Sequence, residues 1–202
     1  MLQQRGFSLL EMAMVVLALS LILVSTAQFL RVQAEYNALK ATDRQLQVIR
    51  EALLGFATLE GQLPCPAANG YGKAETTLCT EEGYLPWADL AIDGRDPWGN
   101  IFRYRVDENF VLEIPDDVQT HSNLKITNIA GDNLATLNAL NRSRVVVVVF
   151  STGANRKADS LNDINDKTYA YDEYSDTFDD RLSWIGISDL IGGMMRVGKW
   201  PL

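Results

Sequence analysis

The first sixty residues carry the strongest hydrophobic pattern in the chain. From Phe7 to Leu30 the only ionisable side chain is Glu11, and Met12 to Leu30 reads MAMVVLALSLILVSTAQFL without a formal charge. As a helix this stretch would be roughly 36 Å long at ~1.5 Å per residue, against a bilayer hydrocarbon core of about 30 Å. It therefore predicts a transmembrane helix over 7–30. Beyond it Val32, Tyr36, Leu39, Leu46, Ile49, Leu53 and Phe56 recur at three, four or seven residues, with Arg31, Glu35, Lys40, Arg44 and Glu51 between them. That is the stripe of an amphipathic helix packed on a globular head. Gly61 and Pro64 supply its stop, so one spine helix is expected over 7–58, roughly 78 Å long by the same rise.

After Gly61 the chain turns rich in Pro, Gly, Asn and Asp, and the pattern changes to short β-prone runs. Ile101–Val106 and Phe110–Ile114 read as two strands joined by an Asp107-Glu108-Asn109 hairpin loop. Val145–Ser151, with five consecutive valines, reads as a strand buried on both faces at the centre of the sheet. Asp132–Leu140 is expected to form a short helix from its Leu134, Leu137 and Leu140 spacing. Arg181–Gly186 is a further strand, and Ser188 is placed to cap a terminal helix ending near Gly198, with Pro201 beyond. The expected fold class is α+β: a long N-terminal helix, transmembrane then amphipathic, packed on a small antiparallel sheet, with a globular head over 59–202.

Composition narrows the function. The net charge of -8 and pI near 4.7 argue against nucleic acid as a partner, because neutralising phosphates needs clustered Lys and Arg. Arg5 and Arg31 flank the apolar run almost symmetrically, so local charge does not set its orientation. An ordinary secretory signal has a shorter apolar region followed by a small-residue cleavage site; Val24-Ser25-Thr26-Ala27 is a weak version of one. A plain membrane anchor leaves Glu11 unexplained. A carboxylate inside an apolar segment costs about 2–3 kcal/mol and marks a functional site that wants a cationic partner.

Gly6-Phe7-Ser8-Leu9-Leu10-Glu11, after a short leader bearing Arg5, resembles the processing motif of type IV prepilins and type II secretion pseudopilins. The resemblance implies a leader over 1–6, cleavage after Gly6 by a prepilin peptidase on the cytoplasmic face of the bacterial inner membrane, and methylation of the new N-terminus at Phe7. It implies a single-pass, N-in subunit with a periplasmic head, held in membrane lipid before assembly. Its partners would be other pilin or pseudopilin subunits and an inner-membrane assembly platform. Glu11 would pair with the N-terminal ammonium of a neighbour during assembly. Low dielectric strengthens such a pair and makes either charge alone expensive. Many pilins carry a Pro in the second half of the apolar segment, and residues 20–31 here contain none. Gly83-Tyr84-Leu85-Pro86-Trp87, Asp96-Pro97-Trp98-Gly99-Asn100 and Asp179-Asp180-Arg181-Leu182-Ser183-Trp184 also look like segments of type II secretion pilin-like proteins, although turn formation and aromatic packing suffice to explain them.

An exported head meets an oxidising compartment, so Cys65 and Cys79 are expected to form a disulfide. Two thiols with thirteen residues between them and the distant His121 do not make a zinc pattern. The pairing lies after the long helix rather than near the C-terminus, where pilins commonly have it, so no host-binding loop carries over onto it. Acidic residues crowd the region from Asp159 to Asp180. Major pseudopilins bind calcium near the C-terminus, and the resemblance makes Asp163, Asp166, Asp172, Asp176 and Asp179 candidate ligands. No complete Asp-x-Asp-x-Asp-Gly loop is present, and a solvated acidic loop is the commoner meaning of such a run. No other cofactor is expected. The rival from another class is a signal-anchored periplasmic enzyme or binding domain that does not polymerise. No Gly-x-Ser-x-Gly, Gly-rich phosphate loop, His-Glu-x-x-His or Cys-x-x-Cys supports the enzyme, and the expectation is a structural subunit with no catalytic residues.

Overall fold

The computed structural model describes residues 9–76, 79, 81–111, 113–115, 117, 120–135, 137, 142–163 and 166–200. They form helix α1 (Leu9–Glu60), strands β1 (Gly83–Tyr84), β2 (Arg103–Val106), β3 (Lys125–Thr127), β4 (Val145–Ser151), β5 (Thr168–Ala170) and β6 (Arg181–Gly186), and helix α2 (Ile187–Arg196). The chain divides into two compact units, residues 1–40 and 41–202.

In the first unit the described residues are all helical, and the large apolar side chains from Leu9 to Leu30 are exposed. This helix is long and apolar enough to cross a membrane. In the second unit the rest of α1 buries Thr42, Leu46, Ile49, Leu53 and Ala57, a three-and-four spacing that lays one face on the core. Each large aliphatic side chain buried there contributes about 1.5–3 kcal/mol. Leu46, Ile49 and Leu53 of the expected stripe reach the core, while Val32 and Tyr36 are exposed. α1 stops where Gly61 takes φ 72°, a left-handed value that costs glycine little. Its N–H donates to the Ala57 carbonyl at 3.0 Å.

The main sheet is antiparallel, in the order β1-β2-β4-β6. β4 is interior, and all seven of its residues are buried. Val147 and Val149 join the cluster that includes Leu46, Ile49 and Leu53 of α1, whereas Val148 and Phe150 join a second one with Leu124, Ile126 and Tyr169. The unbroken valine run is the signature of those two covered faces. β3 and β5 pair in parallel as a separate two-stranded sheet.

Three expected elements differ. Residues 107–114 do not turn back as a hairpin: Glu108–Phe110 is a 3-10 turn capped by Asp107, whose carboxylate accepts from the Asn109 N–H. β4 takes one edge of β2 along its whole length and β1 takes the Arg103–Tyr104 half of the other, which leaves a following strand only Arg105 and Val106 to pair with. Phe110 O instead accepts from Leu63 N, and Ile114 N donates to Gly61 O. The helix expected over Asp132–Leu140 is absent from its described part, where Asn133 bridges Thr127 and Leu137 bridges Ser143. Residues 136 and 138–140 of that helix lie outside the described residues. α2 forms, but Gly186 stands at its N-cap rather than Ser188, and the Asp189 carboxylate accepts from the Gly186 N–H at 3.1 Å. Asp189 also pairs with Arg50 of α1 at 2.9 Å.

Candidate functional site

Glu11 lies in the first described turn of α1 and is exposed, as are the apolar residues around it. The hydroxyls farther along turn back on the helix itself: Ser20 donates to Leu17 O, Ser25 to Leu21 O, and Thr26 to both Ile22 O and Leu23 O. Their polar demand is met inside the helix, which leaves the surrounding surface apolar. Gly6 and Phe7, the expected cleavage and methylation positions, lie outside the described residues.

Cys65 and Cys79 are joined as a disulfide with Cα atoms 4.9 Å apart, and both pack against the main core. The pairing expected from the export argument is therefore present.

The acidic residues from 159 to 180 sort into two kinds. Asp163, Asp166 and Asp176 are exposed and do not converge. Asp166 accepts from its own turn, from Thr168 N at 2.6 Å. Asp172 is spent on local backbone, accepting from Ile129 N and Glu173 N, and those bonds lower its pKa. Of the five candidates only Asp179 enters a convergent group, and its companions are Asp159 and Asp180, with one carboxylate oxygen from each within 4.8 Å of the others.

Local folding builds this triad. Asp159 immediately precedes the 3-10 turn Ser160–Asp163, and Asp179-Asp180 immediately precede β6. Two reciprocal bonds lock the segments together: Asp159 N donates to Asp180 Oδ2 at 2.8 Å, and Asp179 N to Asp159 Oδ2 at 2.8 Å. Asn155 and Asn162 supply further donors, from Asn155 N to Asp179 Oδ2, Asn155 Nδ2 to Asp159 Oδ1, and Asn162 Nδ2 to Asp180 Oδ2. Gly153 closes one side with φ 59°, and a Cβ there would overlap the Asp179 carboxyl. The Asp96–Asn100 turn is tied to the same corner. Asn100 Nδ2 donates to Gly153 O at 2.7 Å, while Ser151 Oγ donates to Asp96 Oδ2 at 2.6 Å.

Electrostatically the triad is unbalanced. Asp179 and Asp180 are 8% and 2% exposed, and Oδ1 of each is buried without a hydrogen-bond partner. Among the described residues none of the three carboxylates belongs to an ion pair. Burial is the main force raising the Asp180 pKa to about 7, with the Asp159 and Asp179 charges adding to it. Burial likewise raises Asp179. Three carboxylates that bring one oxygen each together, two of them also carrying a buried Oδ1 with no partner, match the oxygen-only donor set that a hard divalent cation takes. Asp159 and Asp180 were not among the expected ligands, because the contacts that select them span about twenty residues of chain. The available signal was Asp-Asp directly before a strand, together with a Gly-Ala-Asn turn directly after the central one.

Compared with known proteins, the chain matches no family model, no curated protein and no solved structure.

Proposed function

We propose that this chain is a pilin-like structural subunit, cut after Gly6, methylated at Phe7, and assembled through its N-terminal helix into a type IV pilus-like filament or a type II secretion pseudopilus. The observation that carries the reading is Gly6-Phe7-Ser8-Leu9-Leu10-Glu11 at the head of a helix whose apolar side chains are exposed and whose only ionisable group to Leu30 is Glu11. Before assembly, lipid of the bacterial inner membrane covers that surface, with the N-terminus cytoplasmic and the head periplasmic. A prepilin peptidase and an inner-membrane assembly platform act on it there, and in the filament other subunits replace the lipid. Moving apolar surface from lipid to protein provides little hydrophobic driving force. A carboxylate meeting a neighbour's N-terminal ammonium supplies a directional attraction that the apolar surface lacks.

Calcium belongs to the same reading, and Asp159, Asp179 and Asp180 are the residues that would hold it. The ion would supply positive charge to a buried group of acids and would join the turn after β4 to the start of β6.

Intact mass and N-terminal sequence of the membrane-extracted protein, co-expressed with a prepilin peptidase, test the proposal. A chain beginning at methylated Phe7 is expected. One beginning at Met1 marks a plain anchor, and one cut after Ala27 marks an ordinary secreted protein; either sinks the reading. Glu11→Ala is then expected to abolish filaments in sheared fractions while leaving the head's melting temperature unchanged, since Glu11 is exposed and surface changes usually stay within about 0.5 kcal/mol.

A further inference from the structure

The last turns of α1 and the crosslinked segment that follows it together line a cavity of about 650 Å³. Much of that lining is apolar. Leu63, Pro64 and Val111 are buried, and the half-buried Phe56 and Cys65–Cys79 disulfide join them. The walls are fixed by bonds of their own. Leu63 N donates to Phe110 O at 3.2 Å, the Tyr104 hydroxyl donates to Pro64 O at 2.8 Å, and Glu75 N donates to Pro66 O at 3.1 Å. A site built in advance spares a ligand the cost of ordering it.

The charged groups in the described lining are Glu60, Glu75, Asp89 and Lys73, three carboxylates against one ammonium. Among the described residues none of the four belongs to an ion pair. Lys73 is exposed, so water solvates its charge, whereas Glu75 is half-buried. The Asp89 carboxylate accepts from Ala74 N at 2.6 Å, a bond that holds it in place without neutralising it. Phe56 and Glu60 stand four residues apart on α1 and so share one helical face. A ring and a carboxylate on one face suit the hydrocarbon and the positive head of a single ligand.

We infer that this cavity binds a small organic cation with an apolar body, an arylalkyl ammonium. Its hydrocarbon lies against Phe56, Leu63, Val111 and the disulfide, and its ammonium among the carboxylates of Glu60, Glu75 and Asp89. An ammonium donates three hydrogen bonds and accepts none, which matches carboxylates that only accept. An anion of the same shape meets three like charges, and a neutral analogue gains only the apolar contacts. The volume lies within the range of about 300–1,000 Å³ common for small-molecule sites. The inference is independent of the filament and calcium readings.

Fluorine NMR of para-fluorophenethylamine, titrated at neutral pH with the full-length protein in a neutral detergent, tests this against a detergent-only blank. Saturable broadening of the amine signal is expected, with the matching alcohol bound at least about tenfold more weakly and the matching carboxylate more weakly still. Glu75→Gln should weaken amine binding by about tenfold. Lys73→Gln, at an exposed position, should strengthen it by about twofold or more, because it removes the one like charge from the lining. Shifts of opposite sign in the two variants cannot come from a general loss of structure. Amine and alcohol bound equally, broadening that does not saturate, or weaker binding in both variants overturns the inference.

Discussion

Replacing Asp180 by Asn should stabilise the metal-free head above neutral pH and blunt its response to calcium. In the folded head the Asp180 carboxyl is raised from an ordinary 3.8 to about 7. A difference of about 3 units at about 1.36 kcal/mol each sets an upper bound near 4 kcal/mol. Because the Asp159 and Asp179 charges contribute to that shift alongside burial, roughly 2–4 kcal/mol is the working range. The sign follows from proton counting. Between about pH 4 and 7 the folded head holds a proton that the unfolded chain has released, so stability falls as pH rises through that window and stays low above it. An Asn keeps an oxygen to accept from Asp159 N and Asn162 Nδ2. Its amide can donate where Asp180 Oδ1 now has no partner. It has no charge to acquire. In chelator at about pH 8, and with about 2–4 °C per kcal/mol for a domain of this size, the variant should melt roughly 5 to 15 °C above the unsubstituted protein. The gap should close as pH falls towards 4. Calcium should raise the melting temperature of the unsubstituted protein and raise that of the variant much less. Circular dichroism melts of the full-length protein in detergent read both effects. A variant that melts lower in chelator at that pH, or the same calcium increment in both proteins, would refute the account of the triad.

Gly153→Ala should cost more than the usual surface change, because it adds a left-handed-backbone penalty of about 1–2 kcal/mol to a collision with the Asp179 carboxyl; calorimetric calcium binding should weaken in parallel. Replacing Cys65 and Cys79 together by Ser should destabilise the head by about 3 kcal/mol, the expectation for a closed loop of about fifteen residues. Denaturant melts under non-reducing conditions check this, and an unchanged midpoint would count against a structural role for the crosslink.

The parts of this fold that were legible in the sequence were the ones with a period or a composition of their own. α1 declares itself by an uncharged run and then a helical stripe, and β4 by valines that only a strand covered on both faces tolerates. The disulfide followed from the compartment that export implies. The rest depends on contacts distant in sequence. β1 is two residues long, and β3 and β5 are three each, too short for alternation to register. Phe110–Ile114 has a strand's composition, yet β4 holds one side of β2 and β1 half of the other, and Phe110 and Ile114 bond to the backbone of Leu63 and Gly61 instead. The triad joins Asp159 to Asp179 and Asp180 by hydrogen bonds that no local ligand motif encodes, so counting acids found the neighbourhood and only one of its three members.

The inward-turned hydroxyls of α1 bear on how accurately two such helices can be placed against each other. A surface of Leu, Val, Ala and Met offers many axial offsets of nearly equal energy, because each shift by about a turn substitutes one aliphatic contact for another. A single polar side chain in an apolar interface removes that degeneracy at some cost in stability. In the proposed filament Glu11 would do so: every offset but one would strand a carboxylate in hydrocarbon, and one acid near the end of the helix would set the zero mark for the whole length behind it.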